Sequence, residues 1–111
     1  MKALITCSGH SNTGRLTTWV ATTLISRHPD TIAWARAHKG EGAITDAVDE
    51  ADQVIVIEGC SDHCASKKLD AAGIRADIHL VATDLGIEKN GMADVQWCDV
   101  EKVLAALVWE Q

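Results

Sequence analysis

The chain has 111 residues and a mass of 11.9 kDa, with 47% hydrophobic and 23% charged residues and a formal net charge of -6. That length supports about one domain, expected to span residues 1–111, and the balance argues against a disordered chain, a disulfide-dense mini-protein and a membrane protein. The only adjacent basic pair is Lys67-Lys68, so the cationic patch a polyanion requires is missing and no nucleic-acid partner is expected.

Short β-rich runs alternate with helical periods along the chain. Residues 2–7, Lys2-Ala3-Leu4-Ile5-Thr6-Cys7, form a continuous run that reads as a buried strand. The run is too short for a signal peptide, and no stretch approaches a membrane span. A cytoplasmic location is expected, where thiols stay reduced. The polar loop Ser8-Gly9-His10-Ser11-Asn12-Thr13-Gly14 follows. From Leu16 the stripe Leu16, Trp19, Val20 and Leu24 predicts a helix. Pro29 ends it, because proline disfavours helix in the residue before it, here His28.

Residues 31–35 read as a second strand and 38–42 as a loop. Ile44, Ala47, Val48 and Ala51 mark a second helix. Residues 53–57 are apolar on both faces and predict the central strand. After Glu58-Gly59-Cys60, Ser61 is a candidate cap for a third helix that runs to about residue 72 and stops at Gly73. Residues 78–82 read as a fourth strand and 84–91 as an irregular loop. Asp99 is the expected cap of a last helix with the stripe Val100, Val103, Leu104, Leu107 and Val108.

Strands alternating with helices imply right-handed crossovers and a parallel sheet covered on both faces. The expected fold is α/β: a three-layer sandwich with a four-stranded parallel sheet, Rossmann- or flavodoxin-like. Ligands of such sheets gather outside the carboxyl ends of the strands. Cys7, His38, Cys60 and Asp84 each follow a different strand, so one crevice can collect them.

Two segments carry candidate chemistry. The first loop joins a strand to a helix, and its backbone N–H groups suit an anion or a thiolate. Ser8, Gly9, Ser11, Asn12, Thr13 and Gly14 are its candidate binding residues for a small anionic ligand. It is neither a Walker loop nor a dinucleotide fingerprint. Seven residues separate Cys7 from Arg15, where a thiol-phosphatase loop has about five. An ordinary tight turn accounts for the same small polar residues.

The second segment is Glu58-Gly59-Cys60-Ser61-Asp62-His63-Cys64. With Cys64 in a first helical turn, its thiolate gains from the helix dipole. Zinc takes four tetrahedral ligands from thiolate, imidazole or carboxylate. Cys60 and Cys64 offer two and Cys7 a third. His38, after the second strand, is the first candidate for the fourth, with His10 and His63 behind it. Two small buried cysteines at a crowded turn fit the same spacing. His28 and His79 read as structural and Cys98 as core. Arg36, Lys39, Asp84, Glu88 and Lys89 are either crevice charges or solvated surface, and Trp109 is either an exposed contact or a core edge.

At these residues the chain resembles the DGC-domain family of small prokaryotic proteins, named for Asp-Gly-Cys followed by a second Cys four residues on. Glu58-Gly59-Cys60 with Cys64 stands in that place. The family's opening Cys-Ser-Gly-x-Ser-Asn-x-Gly matches residues 7–14. Its Lys-x-Leu and Ala-Gly positions match Lys67-Lys68-Leu69 and Ala72-Gly73, and its Leu-Gly-Ile-x-Lys matches Leu85-Gly86-Ile87-Glu88-Lys89. The similarity covers roughly residues 3–91 and weakens beyond. It implies zinc binding. Two positions depart: Glu58 replaces Asp, and Trp34 stands where the family has another cysteine after the second strand. The implied ligands are therefore Cys7, Cys60 and Cys64. The fourth is open among His38, His10, Asp84, Cys98 and water.

The leading expectation is a small cytoplasmic zinc-binding protein with a thiolate-rich site at the strand carboxyl ends. The alternative is a thiol-dependent enzyme, redox or group-transferring, using Cys60 and Cys64 or Cys7 over the anion-cradling loop. A third reading is an interaction module whose cysteines only pack.

Overall fold

A computed structural model describes residues 1–59 and 63–107. Four strands, β1 (Lys2–Thr6), β2 (Ile32–Arg36), β3 (Gln53–Glu58) and β4 (Ile78–Val81), form an all-parallel sheet in the order β2-β1-β3-β4. Helices α1 (Asn12–Arg27), α2 (Glu41–Val48), α3 (Cys64–Ala71) and α4 (Trp97–Ala106) cover it, with 3-10 turns at Ala37–Lys39 and Ala82–Leu85. This is the expected three-layer α/β sandwich, and its strand order begins the flavodoxin-like winding. No described helix is long and apolar enough to cross a membrane.

The register explains why the central strands are apolar throughout. Leu4 pairs with Trp34 and with Ile55, and Ile57 with Leu80. These side chains share one face and pack with Leu16, Val20 and Leu24 of α1 and Val100 and Val103 of α4. The alternate residues Ala3, Ile5, Ala35 and Val56 face the other way, against Ile44 and Ala47 of α2 and Ala65 and Leu69 of α3. β1 and β3 are interior strands with cores on both sides, so neither shows polar alternation.

Two helix starts and the burial of one cysteine differ from the sequence reading. α1 starts at Asn12, four residues before the apolar stripe, because Ser11 caps it: Ser11 Oγ accepts the Gly14 N–H at 3.2 Å. α4 starts at Trp97 after Gln96, and Asp99 lies inside its first turn, where a carboxylate still favours the positive helix end. Cys98 is exposed and is not core. At 100° per residue it points about 160° from buried Val100. The expectations for Cys60, Ser61, Val108 and Trp109 fall outside the described residues.

Candidate functional site

β1 and β3 are neighbours in the sheet, yet β1 leads into α1 on one face and β3 into α3 on the other. The gap between their carboxyl ends is the topological switch point, where doubly wound sheets bind ligands. Glycines let the two exits meet there. A Cβ on Gly59 would lie 2.7 Å from the Thr13 carbonyl carbon and 2.8 Å from the Gly14 nitrogen. A Cβ on Gly14 would lie 2.7 Å from the Gly9 backbone. Both neighbours are main chain and cannot swing aside.

This closeness brings the Cys7 sulfur beneath the end of β3. Gly59 N–H donates to Cys7 Sγ at 3.2 Å. Thr17 Oγ1 lies 3.8 Å from the same sulfur. Its own proton goes to the Gly14 carbonyl at 2.7 Å.

A cavity of about 190 Å³ opens at this point, and Cys7, His10, Gly59, Cys64 and Lys89 are among the residues lining it. Of the candidate anion loop, Gly9, Ser11, Thr13 and Gly14 also line it. Ser8 and Asn12 are engaged elsewhere. Ser8 Oγ is 2.6 Å from Thr6 Oγ1 and accepts from Thr18 Oγ1 at 2.9 Å. The Asn12 amide donates to the Glu88 carbonyl at 2.8 Å and accepts the Asn90 N–H at 2.7 Å.

Cys64 is the first residue of α3 and is exposed. Cys60, between these elements, is outside the described residues. His38 is exposed on the turn after β2 and is not among the residues lining the cavity. β2 is an edge strand, one place away from the switch point. Asp84, Lys39 and Glu88 are also exposed and do not line it. Trp34 packs against the α1/α4 core, donates its indole N–H to Thr6 Oγ1 at 3.0 Å, and carries the Arg36 guanidinium 4.6 Å above its ring.

A second constellation surrounds Glu58, the last residue of β3, which is 1% exposed. Its Oε1 accepts the backbone N–H groups of Ala65 and Ser66 at 2.9 and 3.2 Å. It thereby caps α3 from a distance. The residue before that helix, His63, is in the left-handed region at φ 53 and makes no side-chain cap. Oε2 accepts from Ser66 Oγ at 3.0 Å and lies 2.9 Å from His63 Nδ1 and 2.5 Å from His79 Nε2. Burial pushes the Glu58 carboxyl upward, but hydrogen bonds from His79, the Ser66 amide and hydroxyl, and His63 together outweigh it and hold the group below its ordinary value.

Ser66 Oγ is also 3.1 Å from His79 Nε2. Serine and carboxylate thus face the same ring nitrogen, which is not the two-nitrogen relay of a nucleophilic triad. Among the described residues, Glu58, His63 and His79 form a group whose ligand atoms all lie within 4.8 Å of one another, a set that could hold a metal ion.

From sequence, His79 reads as structural and Glu58 only as the residue that replaces the Asp of the resembled motif. Their meeting depends on strand order. His79 pairs in register with Val56, two residues before Glu58, so both side chains project toward α3. The available signal is the single polar residue in Ile78-His79-Leu80-Val81.

The family profile of the DGC domain matches residues 3–107. No curated protein and no solved structure matches the chain. The profile and the Glu-His-His group both fit a metal-binding protein. The match spans nearly the whole chain and takes in both strand exits at the switch point, so the chain belongs to the DGC-domain family.

Proposed function

We propose that this is a small cytoplasmic zinc-binding protein, a single domain over residues 1–111. Its metal is held at the carboxyl ends of β1 and β3 by Cys7, Cys60 and Cys64 with one further donor. The carrying observation is that Cys7 and Cys64, from opposite halves of the chain, line one cavity at the switch point. Thiolate and imidazole are the donors zinc favours. His10 lines the same cavity and suits the fourth position better than His38. The Gly59 N–H on Cys7 Sγ is the outer hydrogen bond that tunes a metal thiolate. Bound zinc would tie the β1–α1 turn to the start of α3. The sheet already buries a core on each face, which supports a binding or delivery role beside a stabilising one. Gly9, Ser11, Thr13 and Gly14 leave the same cavity lined for a small anionic ligand beside the ion.

Elemental analysis of untagged protein purified anaerobically tests this. Cys60→Ser should carry about one zinc per chain fewer than wild type. Equal metal in the two proteins, after zinc is supplied, sinks the thiolate site. The contact to Cys7 Sγ equally suits a thiol-dependent enzyme with Cys7 as nucleophile. Rapid alkylation of Cys7 in protein that takes up no zinc would favour that reading.

A further inference from the structure

We propose that Glu58, His63 and His79 form a second metal site, separate from the thiolate cavity, for a borderline divalent cation such as Zn²⁺ or Fe²⁺. The two oxygens of Glu58 have different tasks. Oε1 is fixed by two backbone amides of α3, so the carboxylate cannot rotate away. Oε2 is thereby aimed at His63 Nδ1 and His79 Nε2, 2.9 and 2.5 Å away. A carboxylate side chain buried to 1% exposure needs positive charge or donors around it.

In the metal-free protein the two imidazoles supply those donors. A cation would take their place, accepting the lone pairs of His63 Nδ1 and His79 Nε2 while each ring proton resides on the other nitrogen. Bonds of about 2.0–2.2 Å put tetrahedral ligand atoms about 3.3 Å apart. The two Glu58–histidine spacings therefore widen by under about 1 Å, while the two ring nitrogens, within 4.8 Å of each other, close to the same separation. The rings are free to make these shifts: the His63 and His79 side chains are 43% and 35% exposed. Their centroids are 5.5 Å apart and tilted by 42°, so they converge without stacking. Ser66 Oγ, 3.0 Å from Oε2, would remain as the outer hydrogen bond that orients the carboxylate.

Two imidazoles and one carboxylate are three ligands, and the exposed side of the cluster leaves further positions to water or to a substrate atom. That is the open coordination of reactive centres, whereas a four-thiolate site is closed. None of the three ligands is among the residues lining the cavity that Cys7 and Cys64 share.

Titration of chelator-stripped wild type with Co²⁺ separates the sites. The expected result is about two Co²⁺ per chain, of which one carries sulfur-to-metal charge-transfer absorption. His79→Ala should lose about one equivalent and leave the charge-transfer intensity unchanged. His79→Gln keeps an N–H donor for Oε2, so it should restore the thermal stability lost in His79→Ala without restoring the metal. The proposal is overturned if both variants bind as much Co²⁺ as wild type, or if His79→Ala loses the charge-transfer band together with the metal. Failure of the thiolate reading would look different: wild type would show no charge transfer and would still bind one ion in a His79-dependent way.

Discussion

At the end of β1 the following helix is capped from within. Ser11 sits directly before α1 and accepts the Gly14 N–H three residues on. At the end of β3 the corresponding residue, His63, offers no such bond, and α3 is capped by a carboxylate that belongs to the strand. The local device serves a helix of 16 residues and the distant one a helix of 8. A short helix with little stability of its own has been made dependent on the sheet. In exchange the sheet gains a fixed carboxylate whose second oxygen faces Ser66, His63 and His79. The β1 exit positions a sulfur; the β3 exit positions a charge.

The contrast can be broken from either side. Glu58→Ala should have the largest effect, about 3 kcal/mol, because it removes the acceptor of five hydrogen-bonding groups at once. Urea unfolding followed by circular dichroism would show this as a lower midpoint with loss of helix signal. The same carboxylate predicts a pH dependence. Its pKa is lower folded than unfolded, so its contribution is complete above the ordinary carboxylate range and is lost as pH falls through that range to the lowered value. The gap between urea midpoints of metal-free wild type and Glu58→Gln should therefore close on acidification.

Gly59→Ala comes next, at about 2 kcal/mol, from forcing a methyl group into the main chain of Thr13 and Gly14. It should also part Cys7 from the end of β3 and weaken zinc uptake, measured by competition with a chromogenic chelator. Ser11→Ala should be the mildest, about 1 kcal/mol. It frays only the first turn of α1, and an unchanged metal content would confirm that the two caps act separately.

The fold was legible where burial leaves a periodic trace. β1 and β3 read as continuous apolar runs because each has a core on both faces, and α1 and α4 announced themselves by stripes. The first turn of α1 reads as loop because Asn12 to Arg15 are small or polar and carry no apolar stripe, although Thr13 and Gly14 are buried and Ser11 is a cap residue by type. Cys98 was misread because its neighbours in sequence, not its position around the helix, suggested burial. Of the candidate site, Cys7 and Cys64 could be placed together once both were known to follow adjacent strands. The distance of His38 from the cavity follows from β2 being at the edge, which no local pattern encodes. The Glu58–His79 contact needs β3 beside β4 and the correct register, a long-range fact invisible in either segment alone.

The distant cap also sets how this part of the molecule opens. The amides of Ala65 and Ser66 are held by a side chain rooted in an interior strand, and that side chain is held in turn by a histidine on the edge strand β4. Fraying of β4 should therefore loosen the first turn of α3, coupling a sheet edge to a helix start in local unfolding. Hydrogen exchange at those two amides reads the strength of the junction directly, and an ion seated between Glu58 and its histidines would slow that exchange before any change in overall shape could be seen.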